Sequence, residues 1–363
     1  MSFLVSQVFI VYVLSYATRL DPINKTLTDN PKRYNKLFYW ILLIYLICVS
    51  GFRYGVGTDY WNYTEMYTDW VKESDTLEGI SDVGFYILIR ILQSITTNPQ
   101  ILFFVTSVII NLCIICTIRR YSSKFELSTY FYITTFAYYA TFNAVRQTLA
   151  IAIVFAGTKY LLERDWKKYI IIVLLCSLIH QSILIMIPVY FIVNHKFMSK
   201  VNIYICLAFL AAFVFYNGFL ESLFNMIQGS NYAGYQDEMT ASGEGANVLR
   251  FLVQLVPIAL VFFYNKLIIK DDDQEFNIMM NMSLLGMLFM LLSLRHWLFA
   301  RLTTIFNLYY VFTLPKILDA SSDKQMRRLL CFIMMICYFM FTYILLKSGE
   351  SNILPYKWTT EIF

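Results

Sequence analysis

Several ionisable residues stand apart from the basic stretches of this chain: Arg53, Asp59, Arg146, His180, Arg295, His296 and Arg301. Arginine is always charged and offers oxyanions a planar, two-pronged donor fork, so four arginines on one face suit an anion such as a diphosphate. Tyrosines at 54, 60, 63, 67, 232 and 235 offer flat amphipathic faces that suit stacking on sugar rings. Gln147, beside Arg146, is a further polar candidate contact for a sugar.

Each of these groups sits in a short local pattern with a plainer alternative. Gly51-Phe52-Arg53-Tyr54-Gly55-Val56-Gly57-Thr58-Asp59-Tyr60 is the densest. Its glycines permit backbone conformations closed to other residues, and Thr58 and Asp59 are good caps for a helix starting near Tyr60. The plain alternative is a helix cap with an Arg53–Asp59 ion pair. The pattern is not a phosphate-binding Walker loop, because no Gly-Lys-Ser/Thr follows. Arg146 follows Phe142-Asn143 at a tight turn, where an arginine can simply snorkel to headgroups. His180-Gln181-Ser182 can be a satisfied turn. Arg295 and Arg301 flank His296-Trp297-Leu298-Phe299, which can be an interfacial anchor with Trp at headgroup depth.

The elements that must position these groups are membrane helices. Hydrophobic residues make up 58% of the 363 residues and charged residues only 15%, against about 45–50% and 25% in a soluble domain. Mean hydropathy is +0.57. A soluble fold could not hide that much apolar surface. The apolar runs are unbroken rather than alternating, which also excludes a β-barrel. Apolar stretches of spanning length fall at 3–19, 37–53, 100–118, 127–143, 145–163, 201–217, 248–266, 277–294, 299–316 and 328–346. A further stretch, 168–194, is interrupted at His180 and flanked by basic residues at both ends, which predicts a hairpin of two short helices. The expectation is an all-α polytopic membrane protein with roughly 12 transmembrane helices in a single membrane domain over 1–363.

The proposed inner loops, 19–36, 119–126, 163–168, 195–200, 264–277 and 315–328, hold 19 of the 29 Lys and Arg, which puts both termini outside. Two outer segments remain. Residues 53–99 carry an interfacial or re-entrant helix over Asp82–Ile95, and 217–247 form a mobile Gly/Ser/Asn/Tyr-rich loop. Under this topology the ionisable candidates all lie on the outer side or at a turn opening to it. The seven cysteines lie inside apolar runs and are read as packing residues, with no metal site or disulfide framework. The first run lacks the basic start and small-residue cleavage site of a signal peptide.

The run Arg53 to Tyr60 followed by Gly84-Phe85, then Asn143-x-x-Arg146-Gln147, His180-Gln181-Ser182, Arg301 and Pro355-Tyr356, resembles in order and spacing the EpsG-like group of Wzy-type polysaccharide polymerases. The resemblance implies a GT-C-like membrane glycosyltransferase architecture. It implies transfer of a growing glycan from undecaprenyl diphosphate to a new lipid-linked repeat unit, at the outer (periplasmic) face of a bacterial cytoplasmic membrane. The partners implied are the undecaprenyl-diphosphate-linked oligosaccharide, the bilayer, a chain-length regulator and a flippase, with no nucleic acid and no cofactor. Arg146, Arg295 and Arg301, with Arg53, are then expected to stabilise the diphosphate, and Asp59 or His180 to take the acceptor proton. No metal is expected in the reaction. A lipid-linked oligosaccharide flippase and an O-antigen-ligase-like transferase are the alternatives, and a membrane acyltransferase has no use for so many arginines.

Overall fold

The computed structural model describes residues 2–21, 27, 34–73, 82–226, 245–264, 273–319 and 323–360. Regular structure in these residues is helical, and no strand forms among them. Two compact units are present, one of residues 1–186 with 330–363 and one of residues 187–329.

In the first unit, α1 (Ser2–Ala17) and α2 (Lys36–Gly51) precede two helices of the predicted outer segment, α3 (Tyr60–Glu73) and α4 (Val83–Gln93). The central element is α5 (Gln100–Tyr121), which packs against α2 and against α8 (Val145–Ala156). Between them come α6 (Phe125–Thr134) and the single turn α7 (Ala137–Ala140). After α8 come α9 (Thr158–Leu162) and α10 (Trp166–Ser177), and then a 3₁₀ turn over Gln181–Ile185. Polar groups bind α2 to α5: Ser50 and Ser107 share a hydroxyl hydrogen bond, and Asn111 Nδ2 donates to Ser50 Oγ at 3.0 Å. In an apolar medium such bonds hold helices together where burial of apolar surface gives no drive.

The second unit holds most of α11 (Met186–Val193), then α12 (Lys200–Val214), α13 (Tyr216–Met226), α14 (Val248–Phe263), α15 (Gln274–Ser293), α16 (Leu298–Asn307) and α17 (Tyr310–Asp319). Its centre is α15, buried along nearly its whole length and packed against α12, α14, α16 and α17. Three asparagines tie it in. Asn277 Oδ1 accepts from the Phe197 amide at 2.9 Å, and Asn202 Nδ2 donates to Asn281 Oδ1 at 2.8 Å. Asn281 Nδ2 in turn donates to the carbonyls of Val193 and His195.

The last long helix, α18 (Lys324–Lys347), returns to the first unit from Leu330 onward. There Tyr130 donates to the Met335 carbonyl at 2.7 Å and Thr342 to the Thr134 carbonyl at 2.6 Å. Its other face leaves Phe332, Ile333, Ile336, Met340 and Ile344 exposed, as a lipid-facing helix must.

Three helices, α5, α15 and α18, are long and apolar enough to cross a membrane. Several expected spans are shorter or broken. The helices α1 and α2 have 16 residues each, about 24 Å, against a hydrocarbon core of about 30 Å. The stretch 127–143 breaks at Phe136, whose φ of 69° cannot continue a right-handed helix. The stretch 145–163 breaks at Gly157, and 299–316 breaks at Leu308–Tyr309, where the Tyr309 amide reaches back three residues to Phe306 instead of four. The stretch 168–194 breaks at Leu178–His180, next to the histidine that motivated the expected turn. Helix α4 falls where an outer helix was expected. The expected loop 217–247 begins instead as helix, since α13 runs to Met226 after a 103° bend from α12. Residues 227–244, including Tyr232 and Tyr235, lie outside the described residues.

Candidate functional site

The start of α8 organises the polar end of the first unit. Ala144, at φ 45°, turns the chain into the helix. The exposed N–H groups of a helix start carry partial positive charge, and Arg146 in the first turn adds a full one. Two carboxylates answer this. Asp59 Oδ2 accepts from the Ala144 amide at 2.8 Å, and Asp82 Oδ2 accepts from Arg146 Nη1 at 2.7 Å. The Arg146 amide donates to the Tyr63 hydroxyl at 3.3 Å. Burial pushes the Tyr63 phenol above its ordinary range, against the opposing pull of Arg146.

His180 completes the cluster. It leaves α10 in an extended conformation, φ −159° and ψ 119°, and its Nδ1 lies 3.5 Å from the same Asp82 Oδ2 that Arg146 uses. The carboxylate is 6% exposed, whereas the Arg146 and His180 side chains are 28% and 24% exposed. The carboxylate is closed off, while its two partners are half-buried. Gln147 is buried, with Nε2 donating to Ser182 Oγ at 3.4 Å.

The Gly55–Gly57 loop supports this end of the molecule. Gly57 has φ +105°, and a Cβ there would stand 2.7 Å from the Phe142 carbonyl oxygen, so only glycine fits. The loop pairs with the chain's final segment. The amides of Tyr54 and Gly57 donate to the carbonyls of Lys357 and Asn352, both at 3.0 Å, and the Thr359 amide donates to the Phe52 carbonyl at 2.8 Å. Asn143 ties the same elements, accepting from Thr58 Oγ1 at 3.0 Å and donating to the Ser351 carbonyl at 3.3 Å.

Several expected roles change with this geometry. Arg53 is 2% exposed and forms no ion pair with Asp59. Its guanidinium donates to the carbonyls of Ser50 and Phe142 and stacks between the rings of Phe103 and Phe142, at 4.8 and 5.0 Å. It braces the loop from beneath and presents no fork to a diphosphate. Thr58 and Asp59 reach across to Asn143 and α8 instead of capping α3. Tyr60 stacks on Phe103 at 4.4 Å and donates to Gln100, and Tyr67 donates to the Thr96 carbonyl. Tyr60, Tyr63 and Tyr67 are therefore core residues with no face left for a sugar. Tyr54 is exposed and meets the equally exposed Trp61 edge-on at 5.8 Å.

In the second unit Arg295 and Arg301 are exposed on either side of one turn. Arg295 Nε donates to the Phe213 carbonyl at 3.2 Å and its guanidinium lies over the Phe213 ring. Arg301 lies over the Trp297 ring at 4.8 Å. His296 is buried, and its Nδ1 accepts from the Leu298 amide at 3.3 Å.

Asp82 and Trp61 were missed by the residue-by-residue reading. In sequence Asp82 is one of seven acidic residues in the 53–99 segment, with nothing in its type to set it apart. The available signal was its position two residues before Gly84, since a glycine opening an apolar helix marks a close backbone approach.

A helical chain with lipid-length apolar helices and a charged cluster gathered at helix ends is a polytopic membrane protein. The EpsG family model matches residues 36–358, and the chain belongs to the EpsG family. No curated protein and no solved structure matches it. Membership supports a membrane protein of polysaccharide biosynthesis.

Proposed function

We propose that this protein polymerises lipid-linked glycan repeat units. It transfers the growing glycan from undecaprenyl diphosphate to a new undecaprenyl-diphosphate-linked repeat unit at the outer face of the cytoplasmic membrane. Its architecture in this reading is a GT-C-like bundle of about 12 crossings, some of them short or broken. The observation that carries the reading is the cluster of Arg146, His180 and Asp82, drawn from three separate stretches of a chain in the EpsG family.

The donor's leaving group is a diphosphate, stable as an anion, so the reaction needs charge stabilisation more than a general acid. Arg146 supplies it in the first unit, and Arg295 and Arg301 of the second unit are separate candidates for holding an anion. A preorganised charge contact of this kind is worth about 100- to 1000-fold in rate. The acceptor hydroxyl gives its proton to His180 or Asp59. The arginines take the part a divalent ion plays elsewhere, so EDTA leaves the rate unchanged.

The test uses the purified chain in nanodiscs, given lipid-linked repeat units extracted from its source with this chain's gene deleted. A ladder of regular increments on a gel is the expected product. A single addition to another acceptor reveals a ligase. Absence of any product, with translocation of the same lipid across liposomes, reveals a flippase.

A further inference from the structure

We infer that Asp82 is the positioning residue that makes His180, and not Asp59, the base of this site. The inference rests on the polymerase reading only for the reaction served. Asp82 occupies the N-cap position of α4, where an aspartate ordinarily accepts from the helix's own amides. Its side chain makes no such bond. The Phe85 and Tyr86 amides use its backbone carbonyl instead. The carboxylate is turned out of its own helix, and a single oxygen serves both Arg146 and His180.

Backbone packing fixes that direction. The Gly84 amide donates to the Leu178 carbonyl at 2.7 Å, and a Cβ on Gly84 would stand 3.0 Å from the same carbonyl. The first turn of α4 is thereby seated on the turn that delivers His180.

An ionised carboxylate can only accept, so the His180 nitrogen facing it, Nδ1, carries the hydrogen. The lone pair then sits on Nε2, on a ring that is 24% exposed. Asp59 is differently placed. One of its oxygens accepts from the Ala144 amide at 2.8 Å, and the other lies 3.3 Å from Thr58 Oγ1, which also reaches Asn143. Its carboxylate closes the start of α8. In the transfer, the acceptor oxygen bonds to the anomeric carbon as its proton passes to His180 Nε2. The bond from that carbon to the diphosphate oxygen breaks, and the electron pair leaves with the diphosphate. The imidazolium afterwards returns its proton to water.

The tautomer can be read without any substrate. The full chain is labelled with ¹⁵N-histidine in nanodiscs, and the His180 signals among the three histidines are assigned by their loss in His180→Gln. The expected wild-type spectrum shows His180 protonated at Nδ1, and Asp82→Asn mixes or reverses the tautomers at an unchanged Tm. An Nε2–H tautomer in the wild type overturns the inference, and so does a wild-type tautomer in a folded Asp82→Asn. If Asp82→Asn does not fold, the wild-type spectrum alone decides. In the polymerisation assay Asp82→Asn lowers kcat about 10²- to 10⁴-fold with KM unchanged, and Asp82→Glu recovers part of the loss. A loss in Asp59→Asn as large as that in Asp82→Asn, at unchanged Tm, makes Asp59 the base and overturns the inference. A wild-type chain that forms no ladder defeats the polymerase reading while the spectrum still judges Asp82.

Discussion

Two turns of this molecule look alike in sequence and differ in construction. Each interrupts an apolar stretch with a histidine, and each has arginine within reach. At the His180 turn of the first unit, the charged groups come from three distant segments and meet on one buried carboxylate. At the His296 turn of the second unit, Arg295 lies against the ring and carbonyl of Phe213, and Arg301 lies over a ring four residues away in the chain. The histidine there is buried and its Nδ1 faces its own helix. The difference separates two uses of arginine. One arginine is oriented by an ion pair with a buried carboxylate, and the others lie against aromatic faces, Arg295 also donating to a carbonyl.

Substitutions sharpen the contrast in a predicted order. Arg146→Ala has the largest effect, a fall of about 100- to 1000-fold in ladder formation. Arg146→Lys recovers little, because a point charge cannot reproduce the guanidinium fork. Gly84→Ala comes next, at about 10- to 100-fold, since the methyl must push the Asp82 turn away from Leu178, and small misplacements at a reacting centre are costly. Arg295→Ala and Arg301→Ala each lower the rate by about 10-fold, the usual value of one hydrogen bond to a charged group. Their Lys replacements retain most activity, because an ammonium also sits over an aromatic face. An Arg301→Lys as damaging as Arg146→Lys would break the comparison. The smallest effect is that of Asp59→Asn, about 1 kcal/mol of stability from a weakened bond at the start of α8, read as a small drop in Tm.

Much of the fold was legible because hydropathy reports burial in lipid directly. The expected 100–118 and 328–346 lie within α5 and α18, and the Arg53–Tyr60 run marked a special loop through its glycines. The breaks were less visible. Phe136 adopts a left-handed conformation with nothing in its type to announce it. The site was half legible for a related reason. Residue type made Arg146 and His180 candidates, but the carboxylate that brings them together depends on contacts 64 and 98 residues apart in the chain. Arg53 was misread because a guanidinium between two phenyl rings looks the same in sequence as one facing a substrate.

The pairing of the Arg53–Gly57 loop with residues 352–359 has a consequence for biogenesis. Tyr356 donates to the Val49 carbonyl across 307 residues of chain. At about 5–20 residues per second of synthesis, the loop waits about 15–60 s for its partner. The partner arrives only if α18 has inserted with its end on the loop's side of the bilayer. A chain whose last helix enters upside down leaves the loop amides unpaired and the start of α8 without its Asn143–Ser351 tie. Assembly of the loop around the charged cluster therefore doubles as a check on the orientation of α18, and an open loop marks every chain that fails it.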